Sequence, residues 1–212
     1  MDDDYIIVCG SGSNQVPDIY SNEIYSSNGS AEIASVYKRK YNKAKHTCVI
    51  GARAFLKLDH VKPRVIEANP DRIIIRDYEK ISYQIIKKLF DSEKEFINYK
   101  RIEQFNFQKQ FFNLGLLDLF KAEINYEYKL LNKIIHFLKF YSSNDFLGVS
   151  SGFYAILHAI HNNPGKKIIV SGISFEGGNH YYKEGMMSLN RGRVDNYLIK
   201  RLKKEIKNKI FV

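Results

Sequence analysis

Short β-branched runs, each closed by glycine or a polar turn, constrain this chain more than any other feature of its sequence. Tyr5–Cys9 (YIIVC) meets Gly10, Ser11 and Gly12 at once, and His46–Ile50 (HTCVI) is closed by Gly51. Arg72–Arg76 (RIIIR) follows the turn Asn69-Pro70-Asp71, and Lys167–Ser171 (KIIVS) runs into Gly172. Such runs read as buried strands. Glu23–Ser27 (EIYSS) is a weaker strand, followed by a turn at Asn28-Gly29.

Helical spacing fills the intervals. The polar segment Ala31–Lys45 is expected to be helical, and so is Ile81–Phe90, with apolar residues at 81, 85, 86, 89 and 90. Tyr126, Leu130, Leu131, Ile134, Ile135, Leu138 and Tyr141 fall on one stripe at helical period, which predicts a core-facing helix with a structural His136 beside it. Ser151–Asn162 is a helix that Ser150 or Ser151 can cap and that Asn163-Pro164-Gly165 stops. Leu198–Ile206 is a last amphipathic helix, and Lys209–Val212 can add a closing strand. Residues 91–124, rich in Phe, Lys and Gln, show no clear boundaries and read as a small insertion near the site. A strand, a helix and a second strand around Ser151–Asn162 make a crossover unit with parallel strands. The class is therefore α/β: a Rossmann-like open, mainly parallel sheet with flanking helices and a short lid, in a single domain over residues 1–212.

Composition sets outer limits. The chain has 212 residues, 44% hydrophobic and 26% charged, which suits one substantial core. No apolar run approaches the roughly 18 residues that span a bilayer. Asp2, Asp3 and Asp4 give the start the wrong charge for a secretory signal, so a cytoplasmic location is expected. Cys9 and Cys48 sit in apolar runs and read as buried, inert thiols. The net charge is +10, and Lys200, Arg201, Lys203, Lys204, Lys207 and Lys209 cluster at the end. A solvated helix face, an anionic membrane surface and nucleic acid all compete to explain that cluster.

Ligands of open α/β sheets bind at the carboxyl ends of the strands. Three elements lie at such ends. Gly10-Ser11-Gly12 follows the first strand and could let backbone amides approach a phosphate, or be a plain turn. Ser150-Ser151-Gly152 opens a helix, where amides and dipole favour an anion, although capping explains one serine equally well. Ser171 and Gly172 begin a polar loop that reaches His180, Tyr181 and Tyr182, where His180 could act as a base. The sequence carries no P-loop, His-Glu-x-x-His, CxxC or Gly-x-Ser-x-Gly, and its only Asp-x-Asp is Asp2–Asp4.

Together these elements resemble the bacterial sialyltransferases of glycosyltransferase family forty-two. Ile6–Ser13 is similar to their opening strand and glycine turn, and Ile24–Asn28 to a second strand that ends in a nucleotide-contacting asparagine. Ser150–Tyr154 resembles their Thr/Ser-Ser-Gly motif, and Val170–Phe175 the strand and turn after it. His180–Tyr182 also resembles the His-Tyr-Tyr motif of the animal sialyltransferases. The resemblance covers about half the chain and is most specific over residues 148–182. It implies a Rossmann-like domain with a mobile lid and inverting, metal-independent transfer without a cofactor.

On that resemblance Ser11, Asn28, Ser151 and Gly152 would hold CMP and Tyr182 would donate to the departing phosphate, with Gly10, Gly12, Ser150, Ser171 and Gly172 as further nucleotide-binding candidates beside them. The family's lid histidine is replaced here by Asn190 or Arg191 in the stretch 189–195, which leaves His180 as the candidate base. Arg191 and Arg193 either pair with the donor's anionic groups or are exposed loop charges. The implied partners are a CMP-sugar donor and a glycan acceptor. Peripheral membrane association through the basic C-terminal helix and self-association stay open, and nucleic acid is not expected. The rival reading is a non-catalytic nucleotide- or sugar-phosphate-binding protein.

Overall fold

A computed structural model of the chain describes residues 5–12, 15–41, 44–76, 80–91, 93–115, 118, 130–132, 134–135, 138, 149–173, 179–180, 183–186 and 189–211. For 80–81, 179–180, 183–186 and 189–193 it describes the backbone alone. The strands are β1 (Tyr5–Cys9), β2 (Glu23–Ser27), β3 (Lys45–Gly51), β4 (Arg72–Arg76), β5 (Glu95–Tyr99), β6 (Lys167–Ser171), β7 (Asn179–His180), β8 (Lys183–Met186) and β9 (Ile210–Phe211). Seven of them form one sheet in the order β5-β4-β3-β2-β1-β6-β9, with every neighbouring pair parallel. β7 and β8 make a separate antiparallel pair.

From β1 the chain adds strands outward to β5, then returns and places β6 on the other side of β1. The order thus reverses between β1 and β6. The carboxyl ends of β1 and β6 at such a reversal are the usual ligand position in sheets of this kind.

Helices cover both faces, which is why the strands read as unbroken apolar runs. Ile7, Cys9, Ile24, Cys48, Ile50, Ile73 and Ile75 face α1 (Ala31–Lys40), α2 (Ala52–Lys57), α3 (Lys62–Ala68) and α4 (Lys80–Lys87). Ile6, Val8, Tyr25, Val49, Ile74, Ile168 and Val170 face α5 (Arg101–Lys109), α6 (Ser151–Asn162) and α7 (Leu189–Ile199). A short α8 (Lys204–Lys207) leads into β9. α6 is the central crossover helix. It packs across β1, β2, β3 and β6, and its Phe153, Tyr154, Ile156 and Leu157 are fully buried. Each such side chain contributes about 1.5–3 kcal/mol through burial, so the position of α6 over the sheet is strongly fixed. Among the described residues no helix is long and apolar enough to cross a membrane.

Several expectations need correction. Leu130, Leu131, Ile134, Ile135 and Leu138 are exposed, so their stripe is not a core face; periodicity defines a face but not what covers it. Tyr126, His136 and Tyr141 lie outside the described residues. Residues 91–124 are no mere insertion, because they contain β5 and α5. β5 is an edge strand with only half-buried side chains, which weakens its apolar signal. The helix expected over Leu198–Ile206 is broken. Between α7 and α8 the buried Leu202 bridges to Phe112, and Lys203 N donates to Phe111 O, so the chain is drawn inward there. The helix expected over Ala31–Lys45 ends at Lys40, and Lys45 already belongs to β3. The helix expected over Ile81–Phe90 is α4, which ends at Lys87; Ile85 on it and Leu89 in the turn after it are exposed.

The basic cluster is also not one solvated face. Arg201 pairs with Asp118 at 2.9 Å and lies 3.4 Å over the Tyr197 ring, while Lys209 Nζ donates to Pro164 O. The Arg201 guanidinium, the Gly115 amide and the Tyr197 hydroxyl lower the Asp118 carboxyl to about 2. At the amino end of β3, burial alone would raise the Asp71 carboxyl. The His46 amide and the Lys38 ammonium outweigh it and hold that carboxyl below its usual range.

Candidate functional site

At the carboxyl ends of β1 and β6 three glycines, Gly10, Gly12 and Gly172, bring two backbones together. A Cβ on Gly10 would lie 2.2 Å from Gly172 O and 2.3 Å from Ile173 Cγ1, and one on Gly12 would lie 3.0 Å from Gly172 O. Gly10 N donates to Ser171 O and Gly12 N to Gly172 O, both at 2.7 Å. Gly172 itself turns with φ 68, a conformation open to glycine at little cost. These contacts correct one expectation: the amides of Gly10 and Gly12 are committed to the β6 loop and are not available to a phosphate. The glycines are needed because two backbones touch there. Ser11, half-buried, is carried on the tip of that turn.

Beside these glycines, β2 runs into Asn28, the first residue of the turn after it, whose φ of 48 is left-handed, a region asparagine tolerates better than most residues. Its Oδ1 accepts from Gly51 N at 3.1 Å, and its amide nitrogen has no partner among the described residues. Ser30 ties the strand ends together. Its Oγ accepts from Ser27 N at 2.9 Å and lies 2.7 Å from Cys9 O and 2.8 Å from Ser27 O. The carboxyl ends of β1, β2 and β3 are thus held by side-chain bonds that the sequence pattern alone does not reveal.

Over these ends sits the start of α6. Ser150 is its cap, with Oγ accepting from Phe153 N at 3.1 Å and its own amide donating to Asp195 Oδ1 at 3.0 Å. That hydroxyl caps the helix through its oxygen, the alternative that the sequence left open for one serine here. Ser151 differs. The residue is only 6% exposed, yet its hydroxyl forms no hydrogen bond among the described residues. Its Oγ lies 3.5 Å from where a Cβ of Gly51 would be, so the missing side chain of Gly51 leaves a notch beside it. Gly152 faces Ile173, whose side-chain atoms would lie 3.4–3.6 Å from a Cβ, and its smallness serves that packing. The fully buried Asp195 brings a carboxylate to the start of α6 and offsets part of the helix dipole.

One residue escaped the sequence reading. Arg76 ends β4 directly opposite Gly51 in the β3–β4 register and is only 3% exposed. Its Nε donates to Gln104 Oε1 at 3.1 Å and its Nη1 to Val149 O at 2.8 Å, and the guanidinium lies 4.5 Å over the Tyr154 ring. An arginine closing the otherwise apolar run RIIIR at a carboxyl end was the available signal.

Gly10, Gly12, Asn28, Gly51, Ser151, Ser171 and Gly172 therefore stand along one rim. The catalytic and donor-anion candidates lie, in whole or in their side chains, outside the described residues. His180 lies in β7 and Arg191 and Arg193 lie in α7, with side chains outside the described residues, and Tyr182 is itself outside them. The stretch 189–195 forms the first turns of α7 instead of a loop before it, so Arg191 and Arg193 are helix residues.

Comparison with family models, with curated proteins and with solved structures gives no match to any of the three. The chemistry of the rim is accordingly read from its own groups. Burial pushes the Cys9 and Cys48 thiols up to about 12, so neither is a nucleophile at neutral pH. Burial also pushes His46 and His158 down to about 3, which makes them neutral core residues and not proton carriers. His158 stacks on Phe107 at 4.1 Å, and His46 Nε2 lies 2.8 Å from Ser26 Oγ. Among the described residues the Ser151 hydroxyl, the Asn28 amide, the Ser151 and Gly152 amides and the Arg76 cation are donors suited to an oxyanion.

Proposed function

We propose that the chain is a glycosyltransferase that moves an acid sugar, of the sialic acid or Kdo type, from a CMP-activated donor to a cell-surface glycan. Transfer inverts the anomeric carbon and needs no metal. The observation that carries this reading is the meeting of Asn28, Gly51 and Ser151 at the carboxyl rim, where the strand order reverses between β1 and β6. Ser151 and the first α6 amides would hold the phosphate, and Asn28 would turn its amide nitrogen to the nucleoside.

In the reaction the acceptor oxygen bonds to the anomeric carbon while the bond to the CMP phosphate breaks. The acceptor proton passes to His180, and the departing phosphate accepts a hydrogen bond from Tyr182. The transition state resembles an oxocarbenium ion. The protein would work from the cytoplasm, at the inner face of the membrane whose glycans it extends.

The test is CMP release from CMP-sialic acid and CMP-Kdo, together with a thermal-shift screen of CMP, UMP, UDP and GDP. A cytidine-specific shift with acceptor-dependent CMP release is expected. His180→Ala should lower turnover about 10²–10⁴-fold while CMP still binds. Turnover within about twofold of wild type removes His180 as the base. A second reading, nucleotide binding without transfer, is favoured by Asn190 and Arg191, which stand where the resembled family carries its lid histidine. It predicts CMP binding with no release from either donor.

A further inference from the structure

Among the described residues Arg76 is a buried cation with no counterion. A guanidinium has five N–H donors, and two of these are taken by Gln104 Oε1 and Val149 O. The Tyr154 ring covers one face of the group. Asp195, buried beside the start of α6, accepts from Ser150 N. Arginine keeps its charge in any protein environment, so the cost of burying it cannot be relieved by losing the proton. Burying an arginine without an anion is strongly unfavourable, and the natural compensation is an anion that arrives with a ligand.

The position fits. Arg76 is the register partner of Gly51, Gly51 abuts Ser151 Oγ, and the guanidinium bonds the carbonyl of Val149, two residues before Ser151. The cation, the notch and the start of α6 therefore share one rim. Gln104 and Tyr154 fix the plane of the guanidinium, and its remaining donors form a fork of the shape that takes two oxygens of one anion.

We infer that Arg76 is the cationic anchor of the carboxyl-end rim and binds an oxyanion of the ligand, phosphate or carboxylate, next to Ser151. The inference rests on the nucleotide-sugar reading above for the identity of the whole ligand. The oxyanion has two sources in such a ligand, the nucleotide phosphate and the acid-sugar carboxylate.

Calorimetric titration of CMP, cytidine, sialic acid and inorganic phosphate into wild type, Arg76→Gln and Arg76→Lys separates them. Loss of a charge-assisted contact should weaken CMP about ten- to hundredfold in Arg76→Gln and leave cytidine unchanged. If the carboxylate is the source, sialic acid weakens instead and CMP does not. Should Arg76→Gln fail to fold, Arg76→Lys carries the test: it keeps the charge, loses the fork, and should weaken the same anion about tenfold. Equal affinity of variant and wild type for all anionic probes overturns the assignment, even where CMP binds well and the nucleotide reading stands. Arg76-dependent binding of phosphate or sialic acid without any cytidine preference supports the anchor and sinks the nucleotide reading. No binding of any probe to wild type sinks both.

Discussion

Replacing Gly51 with alanine separates ligand binding from stability. Gly51 has φ −80 and ψ 118, which any residue adopts without strain. A Cβ there would lie 3.5 Å from Ser151 Oγ and 3.8 Å from Ala54 Cβ, both ordinary van der Waals contacts. The amide that donates to Asn28 Oδ1 is retained. Gly51→Ala should therefore leave the fold intact and add about 0.4–1 kcal/mol, because alanine leaves fewer unfolded conformations. The new methyl fills the notch and covers one side of the Ser151 hydroxyl. A ligand oxyanion that uses this hydroxyl loses a charge-assisted hydrogen bond, about 1.5–3 kcal/mol, or roughly ten- to hundredfold in affinity. Urea denaturation measures the first effect and calorimetric titration of CMP the second. A variant at least as stable as wild type that binds CMP with unchanged affinity would refute the placement of the ligand beside Ser151. A loss of more than about 1 kcal/mol of stability would refute the packing geometry itself.

Two further outcomes follow from the packing. Gly10→Ala places a Cβ 2.2 Å from a backbone oxygen that cannot step aside, so a denaturation midpoint lowered by at least about 1–3 kcal/mol is expected; an unchanged midpoint would contradict the close approach of the β1 and β6 loops. His46 and His158 are held near 3 by burial, whereas the unfolded chain titrates near 6.5, so the unfolded state takes up more protons below that pH. Their contribution is complete above about pH 6.5 and is lost as the pH falls toward 3, at about 2 kcal/mol per histidine by pH 5. His158→Phe, which keeps the stack on Phe107, should remove about half of the fall between pH 7 and pH 5, and stability that is flat across that interval would contradict the account.

The sheet was largely legible because its inner strands are buried on both faces and announce themselves as uninterrupted apolar runs. β5 was not, since an edge strand with half-buried side chains such as Glu95 and Asn98 carries little apolar signal. The helices α2 and α3 were also missed, because elements of six and seven residues are too short for a helical period to show. Periodicity misled at Leu130–Leu138, where it defined an apolar face but not its burial. For the site, the glycines and serines singled out lie at the carboxyl ends of neighbouring strands, but local sequence did not show the division of labour among them. Gly10, Gly12 and Ser150 answer demands of backbone packing and capping, and local sequence cannot separate those from ligand contacts. Arg76 was missed for the opposite reason. Beyond its place at the end of RIIIR, its meaning lies in its burial and in a partner 73 positions away, Val149, which local sequence does not show.

Hydrogen–deuterium exchange with and without CMP tests most directly whether these distant segments act as one binding rim. Bound nucleotide should slow exchange together at Ser11, Asn28 and the first α6 amides around Ser151, while α3 and the outer edge at β5 stay unchanged. Protection confined to a single one of those segments, or appearing away from the rim, would contradict the account.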